Sequence, residues 1–267
     1  MCLLGMHMNV VVLSGYGLNC EEETLFAFLE AGKGAKTTVR GRVMHVNELL
    51  ANPKKLLEFN TMAIPGGFSY GDDTGAGNAY ALRLIHGLKE QIKEFMERDT
   101  LILGVCNGCQ ILLRMLIPDV ALVANNVGRY QCRWVRVKTT CGSPWLEGID
   151  EMYIPIAHGE GKFCASAEVL QRLQDDNCIA MRYVGPNGNF ADGAFPHNPN
   201  GSMYDIAALI HAKGRALLVM PHPERALFLT QRYDWTEVLA EAKRNGVDVG
   251  HYADGYRIFA NAVRYFV

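Results

Sequence analysis

The chain has 267 residues, 49% of them hydrophobic and 20% charged, the make-up of a globular protein with a sizeable core rather than of a disordered or fibrous one. A formal net charge of -2 excludes the broad basic surface that binding to a nucleic-acid backbone requires. The first residues lack a basic stretch followed by a long apolar one, and no run reaches the roughly 18 apolar residues of a membrane span, so a soluble, cytoplasmic protein is expected.

Val10-Val11-Val12-Leu13 is an apolar, β-branched run of the kind that forms a strand covered on both faces. A Gly-rich turn follows at Ser14–Asn19, then a helix is predicted over Glu21–Ala31, with acidic residues in its first turn. A second strand is expected within Thr37–Val46, a short helix at Leu56–Phe59, and a strand at Thr61–Ile64 before Pro65-Gly66-Gly67. Leu82, Ile85, Leu88, Ile92 and Phe95 recur at spacings of three and four, which predicts an amphipathic helix over about Gly77–Glu97. Leu101–Val105 is the next strand. After Leu116 the pattern changes to five strand-like runs (Tyr130–Thr139, Met152–Ala157, Cys178–Val184, Ile206–Ile210 and Ala216–Met220) with one helix near Ala167–Gln174. Gly185–Ser202, rich in Gly, Pro and Asn, is too irregular for either element. The alternation of strand and helix predicts an α/β fold: an open, mostly parallel, doubly wound sheet flanked by helices, with an additional antiparallel β segment. No repeat, low-complexity tract or linker divides the chain, so residues 1–267 read as one domain.

The most informative stretch is Gly104-Val105-Cys106-Asn107-Gly108-Cys109-Gln110, between the apolar runs Leu101–Leu103 and Ile111–Leu113. Glycines two residues either side of Cys106 give the spacing of a nucleophile elbow, in which a strained strand-to-helix turn lifts a nucleophile clear of the sheet. The thiol then sits at a helix N-terminus, where unpaired N–H groups and the helix dipole favour a thiolate. Ligands of open α/β sheets bind beyond the carboxyl ends of the strands, and the turns at Gly15, Gly67 and Cys106 all fall there.

A cysteine nucleophile needs a base, and the base an orienting acceptor. The best pair is in Pro221-His222-Pro223-Glu224-Arg225, where flanking prolines hold an extended backbone and let His222 and Glu224 project to one side. His158, in Ala157-His158-Gly159-Glu160-Gly161, competes: it also ends a strand and has a carboxylate nearby. The amide of Asn107 and the bare backbone at Gly67 are the candidate oxyanion donors, although a Gly pair after a strand by itself marks only a tight turn. Cys106-x-x-Cys109 also has the spacing of a redox pair or half a zinc site, but no second Cys/His pair completes the latter, and no metal is expected. Gly15-x-Gly17 hints at dinucleotide binding, yet Cys20 stands where the third glycine belongs. The remaining cysteines are read mostly as reduced and buried.

With these motifs the sequence resembles the class I (triad) glutamine amidotransferases, whose fold is flavodoxin-like, over nearly its whole length. Pro65-Gly66-Gly67-Phe68-Ser69-Tyr70-Gly71-Asp72, Arg129–Trp134, His158-Gly159-Glu160-Gly161 and Asn198-Pro199-Asn200-Gly201-Ser202 point to the branch serving phosphoribosylformylglycinamidine synthase in purine biosynthesis. The resemblance implies a glutaminase with Cys106 as nucleophile, His222 and Glu224 completing the triad, Gly67 and Asn107 holding the oxyanion, and Gln110 helping to bind glutamine. It implies no cofactor in this chain, with ATP and Mg on a PurL-type synthetase partner that receives the ammonia, and leaves open a small PurS-type subunit. Two features depart from the branch: extra residues between Arg225 and Gly255, and a final segment, Tyr256–Val267, closer to the end of the large single-chain synthase. The competing readings are another elbow-cysteine hydrolase, of peptidase or γ-glutamyl hydrolase type, and a non-catalytic flavodoxin-like binding module.

Overall fold

The computed structural model describes residues 7–267. Strand β1 (Met8–Ser14) leads into helix α1 (Glu21–Gly34), β2 (Val39–His45), the short α2 (Val46–Ala51) and β3 (Thr61–Ile64). Next come α3 (Asn78–Glu97), β4 (Leu101–Val105) and α4 (Asn107–Leu116). The second half contains β5 (Ala121–Val123), β6 (Gln131–Thr139), β7 (Glu151–His158), β8 (Lys162–Cys164), α5 (Ala167–Asp175), β9 (Ile179–Val184), β10 (Ile206–His211) and β11 (Ala216–Val219). Helices α6 (Trp235–Arg244) and α7 (Tyr256–Arg264) close the chain.

Nine strands form one sheet in the order β2-β1-β3-β4-β11-β10-β9-β6-β7, while β5 and β8 pair separately. The first five are parallel, and β11 is the last of them although it comes from the end of the chain. Their side chains face helices on both sides, which is why Val10–Leu13, Met62–Ile64, Leu101–Val105 and Ala216–Val219 are buried without alternation. From β11 onward the sheet turns antiparallel. The antiparallel segment expected from sequence is thus a continuation of the parallel sheet.

Several elements differ from the sequence reading. The short helix expected at Leu56–Phe59 is a 3₁₀ segment over Pro53–Glu58, and α1 runs three residues beyond Ala31. Helix α7 packs on α1, placing Phe259 edge-on to Phe28 at 4.9 Å between ring centres. Asn261 at its middle caps a turn by donating to the carbonyls of Trp145 and Glu147. No described helix is long and apolar enough to cross a membrane. The seven described cysteines are unpaired, but only Cys20, Cys106 and Cys109 are buried, and Cys132 is exposed; Cys2 lies outside the described residues.

Candidate active site

Cys106 follows β4 directly and occupies φ 50°, ψ -103°, a conformation that L-residues adopt only under constraint. The constraint is visible: the Cys106 N–H is held by the Val219 carbonyl of β11 at 2.8 Å, and its own carbonyl accepts from Gln110 N–H at 3.0 Å. The flanking glycines are sterically required. A Cβ on Gly108 would collide with the Ile64 backbone, and one on Gly104 would lie 2.6 Å from Leu112 Cδ1 and 2.7 Å from the Gly108 carbonyl. The elbow brings β3, β4 and α4 closer than any side chain permits.

Parallel pairing of β4 with β11 sets Val105 beside Val219, so the segment after β11 passes over the elbow. His222 lies there, 1% exposed, with its N–H donated to the Pro155 carbonyl of β7 at 2.7 Å. Its Nδ1 is 2.5 Å from Oε1 of Glu224, itself 1% exposed, and its Nε2 has no protein partner. Burial alone would lower the pKa of this imidazole. The Glu224 carboxylate first, then the Cys106 and Cys20 sulfurs beside the ring, instead hold it well above its ordinary value. The arrangement favours an imidazolium beside the Cys106 sulfur, whose remaining contact is a long hydrogen bond to the Ala157 carbonyl at 3.6 Å.

His158 reaches the same region and is buried, but it lacks a carboxylate. Its Nδ1 is 3.2 Å from Asn125 Oδ1, while the nearby Glu160 turns away to accept from Ala76 N–H at 3.2 Å. Burial, reinforced by the charge of His222, lowers its pKa to about 3, so it is neutral at any working pH. This geometry separates the two histidines that the sequence leaves in competition.

The Pro65–Gly67 turn is locked to the turn after β1: Asn19 and Cys20 donate to the Gly66 carbonyl at 3.0 and 3.2 Å, and Phe68 donates to that of Gly17 at 2.8 Å. These bonds leave the Gly67 N–H without an acceptor among the described residues, as is the Asn107 N–H at the first position of α4. The Asn107 side chain is wholly buried and ties the Ser69–Asp72 turn to α4: Oδ1 accepts from Ser69 N–H, and Nδ2 donates to Asp72 and Gln110. Gln110 in turn donates to the Glu160 carbonyl at 2.7 Å and lines a cavity of about 170 Å³ with Gly75, Ala76 and Glu160. Asp72, half-buried here, is raised to about 6 by burial and by the charge of Glu160.

Sequence reasoning overlooked Cys20, Ala157 and Asp72. Cys20 is placed by the turn that reads only as Gly-rich, and Ala157 contributes a carbonyl, which no side-chain pattern reveals. Cys20 Sγ, a His222 ring nitrogen and a Glu224 oxygen lie within 4.8 Å of one another, a donor set of suitable type for a soft cation. The Arg225 guanidinium, which donates to Cys20 Sγ at 2.9 Å, already fills that position with a positive charge beside the sulfur and opposes such an ion. Cys109 is wholly buried inside α4, and its thiol is pushed well up by burial and then by Cys106, which disfavours a redox role.

A curated relative, phosphoribosylformylglycinamidine synthase subunit PurQ of Methanococcus maripaludis, is 41% identical over 97% of both chains. The protein of the same name from Dehalococcoides mccartyi is 38% identical, again over 97% of each. Among solved structures, a chain of PurLQS from Thermotoga maritima superposes with a TM-score of 0.68 at 25% identity, covering 97% of this chain and 98% of that one. Residues 7–266 match the model of the CobB/CobQ-like glutamine amidotransferase domain. The chain belongs to the CobB/CobQ-like glutamine amidotransferase family.

Proposed function

We propose that this protein is the glutaminase component of phosphoribosylformylglycinamidine synthase, releasing ammonia from glutamine for purine biosynthesis. The observation that carries the reading is the buried His222–Glu224 pair, 2.5 Å apart, set over a cysteine on a strained elbow, in a chain 41% identical to a PurQ subunit. Cys106 as thiolate attacks the side-chain carbonyl of glutamine. The oxyanion that forms is held by the N–H groups of Asn107 and Gly67, each such donor being worth about two to three orders of magnitude in rate. The His222 imidazolium gives its proton to the departing nitrogen, ammonia leaves, and a γ-glutamyl thioester remains. Water then attacks the thioester as His222 takes its proton, releasing glutamate and restoring the thiolate–imidazolium pair. Glu224 keeps the ring oriented throughout. Gln110, bonded on both sides by protein groups, assists glutamine binding chiefly by fixing the wall of the cavity.

Free ammonia would be protonated and diluted at neutral pH, so the product passes to a synthetase partner. The PurLQS structure supports a PurL-type partner and a small PurS-type subunit. ATP and Mg belong to that partner, and this chain works without a cofactor in the cytoplasm. The test is glutamate release by the chain alone and with candidate synthetase subunits. Stimulation by the partner and loss of activity in Cys106→Ala are expected; retained activity in that variant sinks the assignment.

A further inference from the structure

Cys20 has no part in the chemistry above, yet its buried sulfur stands at the centre of the site. It is 1% exposed, at the end of the turn after β1, immediately before α1. Three kinds of contact converge on it. Arg225 Nη2 donates to Sγ at 2.9 Å, and the thiol donates to Asn19 Oδ1 at 3.3 Å. A Cβ on Gly66 would lie 2.7 Å from His222 Cε1 and 3.3 Å from Cys20 Sγ, which shows how closely sulfur and imidazole flank that glycine. The Cys20 N–H donates to the Gly66 carbonyl, so the same residue holds the backbone of the turn that presents Gly67.

We propose that Cys20 is a positioning residue for His222, its sulfur serving as the acceptor that couples the Arg225 guanidinium to the ring and keeps the imidazole between Glu224 and Cys106. An electron-rich sulfur beside the ring stabilises the imidazolium, and the Arg225 hydrogen bond keeps that sulfur from turning away. The other titratable or charged groups facing the ring are Glu224 and Arg225 on its own segment, Cys106 on the elbow, His158 on β7, and Tyr130. Of these, Arg225 and Glu224 also approach the Cys20 sulfur.

This inference deepens the glutaminase reading and rests on His222 being its proton donor. Its test compares Cys20→Ala and Cys20→Ser with the unaltered protein in two measurements. In the pH profile of kcat for glutamate release, Cys20→Ala is expected to lose about tenfold at the optimum and to move the basic limb down by about one pH unit, with KM unchanged. Cys20→Ser keeps an acceptor and returns most of both. The second measurement is NMR titration of the His222 ring in a Cys106→Ala background, its signals identified by their loss in His222→Ala; the midpoint falls when Cys20 is replaced by Ala. Should Cys20→Ala fold poorly, Cys20→Val, which retains bulk and removes the acceptor, carries the same expectation. An unmoved ring titration and pH profile overturn the proposal, as does a rate loss without a change in the profile. Activity in His222→Ala would overturn the assigned proton donor instead, and the ring titration would still decide the role of Cys20.

Discussion

At the scale of single residues, the site is governed by what glycine leaves empty and by where burial overrides charge. Gly66 has no Cβ, and one placed there would press on His222 Cε1 at 2.7 Å. Gly66→Ala is therefore expected to displace the imidazole while leaving the core intact. A misplacement on the order of 1 Å in such a constellation costs about 10²-fold in rate. Measured glutamate release is expected to fall by about that factor with little change in melting temperature; full activity in the variant would contradict the packing described. Gly108→Ala behaves differently, because its Cβ meets the backbone of Ile64 in a neighbouring strand and folding itself suffers.

Asp72 gives a second residue-scale expectation, this time in pH. Its pKa in the fold is raised from 3.8 to about 6, by burial first and by Glu160 second. A raised folded pKa means that the fold favours the protonated acid, so its stabilising contribution is complete below about 3.8 and lost as pH rises through 6. Above that range the ionised carboxylate strains the site, and Asp72→Asn, which retains an oxygen for the Asn107 amide, removes the strain. The expected gain is about 1 kcal/mol or less at pH 7.5 once solvent screening is allowed for, vanishing toward pH 4. Melting curves at the two pH values decide it, and an equal effect at both would rule the electrostatic cause out.

At the scale of elements, the Gly185–Ser202 loop depends on a polar plug rather than on hydrophobic packing. Gly185–Ser202 is as irregular as its composition predicts, but its end is fully ordered by hydrogen bonds. Asn200, wholly buried, donates to the Gly161 carbonyl at 2.8 Å and to Tyr183 Oη at 3.3 Å, and accepts from the N–H and Oγ of Ser202. Asn198 and Asp205 complete the set. Asn200→Ala would strand several of these buried groups, each costing about 1–3 kcal/mol. A loss of about 3 kcal/mol in urea unfolding is expected, together with a higher KM for glutamine, because Gly161 adjoins the Glu160 carbonyl that anchors Gln110. An unchanged KM would show that the plug does not support the site.

These cases also show what is readable in the chain before its coordinates are known. The strands Thr61–Ile64 and Leu101–Val105 are legible to the residue because they are continuous apolar runs buried on both faces, the first ending at Pro65 and the second at the elbow. The elbow is legible because its steric demand fixes residue types at fixed spacing. Strands Ala121–Val123 and Lys162–Cys164 are not, since three residues carry no periodicity and only their mutual pairing defines them. The choice of His222 over His158 is favoured by the flanking prolines but not decided by them, since both follow strands and both have a Glu two residues on. Only the direction of the two carboxylates, one to an imidazole and one to Ala76 N–H, separates them.

At the scale of the whole molecule, the sheet order poses a question that the site answers. Strand β7 lies at the far antiparallel edge, separated from β11 by β10, β9 and β6. Yet its Pro155 carbonyl accepts from His222 N–H, and its Ala157 carbonyl accepts from the Cys106 thiol. The antiparallel half therefore curls back over the carboxyl ends of the parallel strands, as expected of a strongly twisted sheet. The elbow belongs to one half and part of its wall to the other, so neither half forms the site alone. Helix α7 adds a further tie, as Trp145 from the antiparallel half packs against Phe28 of α1 and Phe28 against Phe259. With hydrogen bonds running unbroken from β2 to β7, the two halves have no boundary at which to separate. Urea unfolding followed by far-ultraviolet circular dichroism, by fluorescence of Trp134 and Trp145 in a Trp235→Phe background, and by glutaminase activity is expected to give a single coincident midpoint. An activity loss or tryptophan transition at clearly lower urea than the loss of helix would mean that the antiparallel half opens first, and that the curl over Cys106 is the weakest part of the fold.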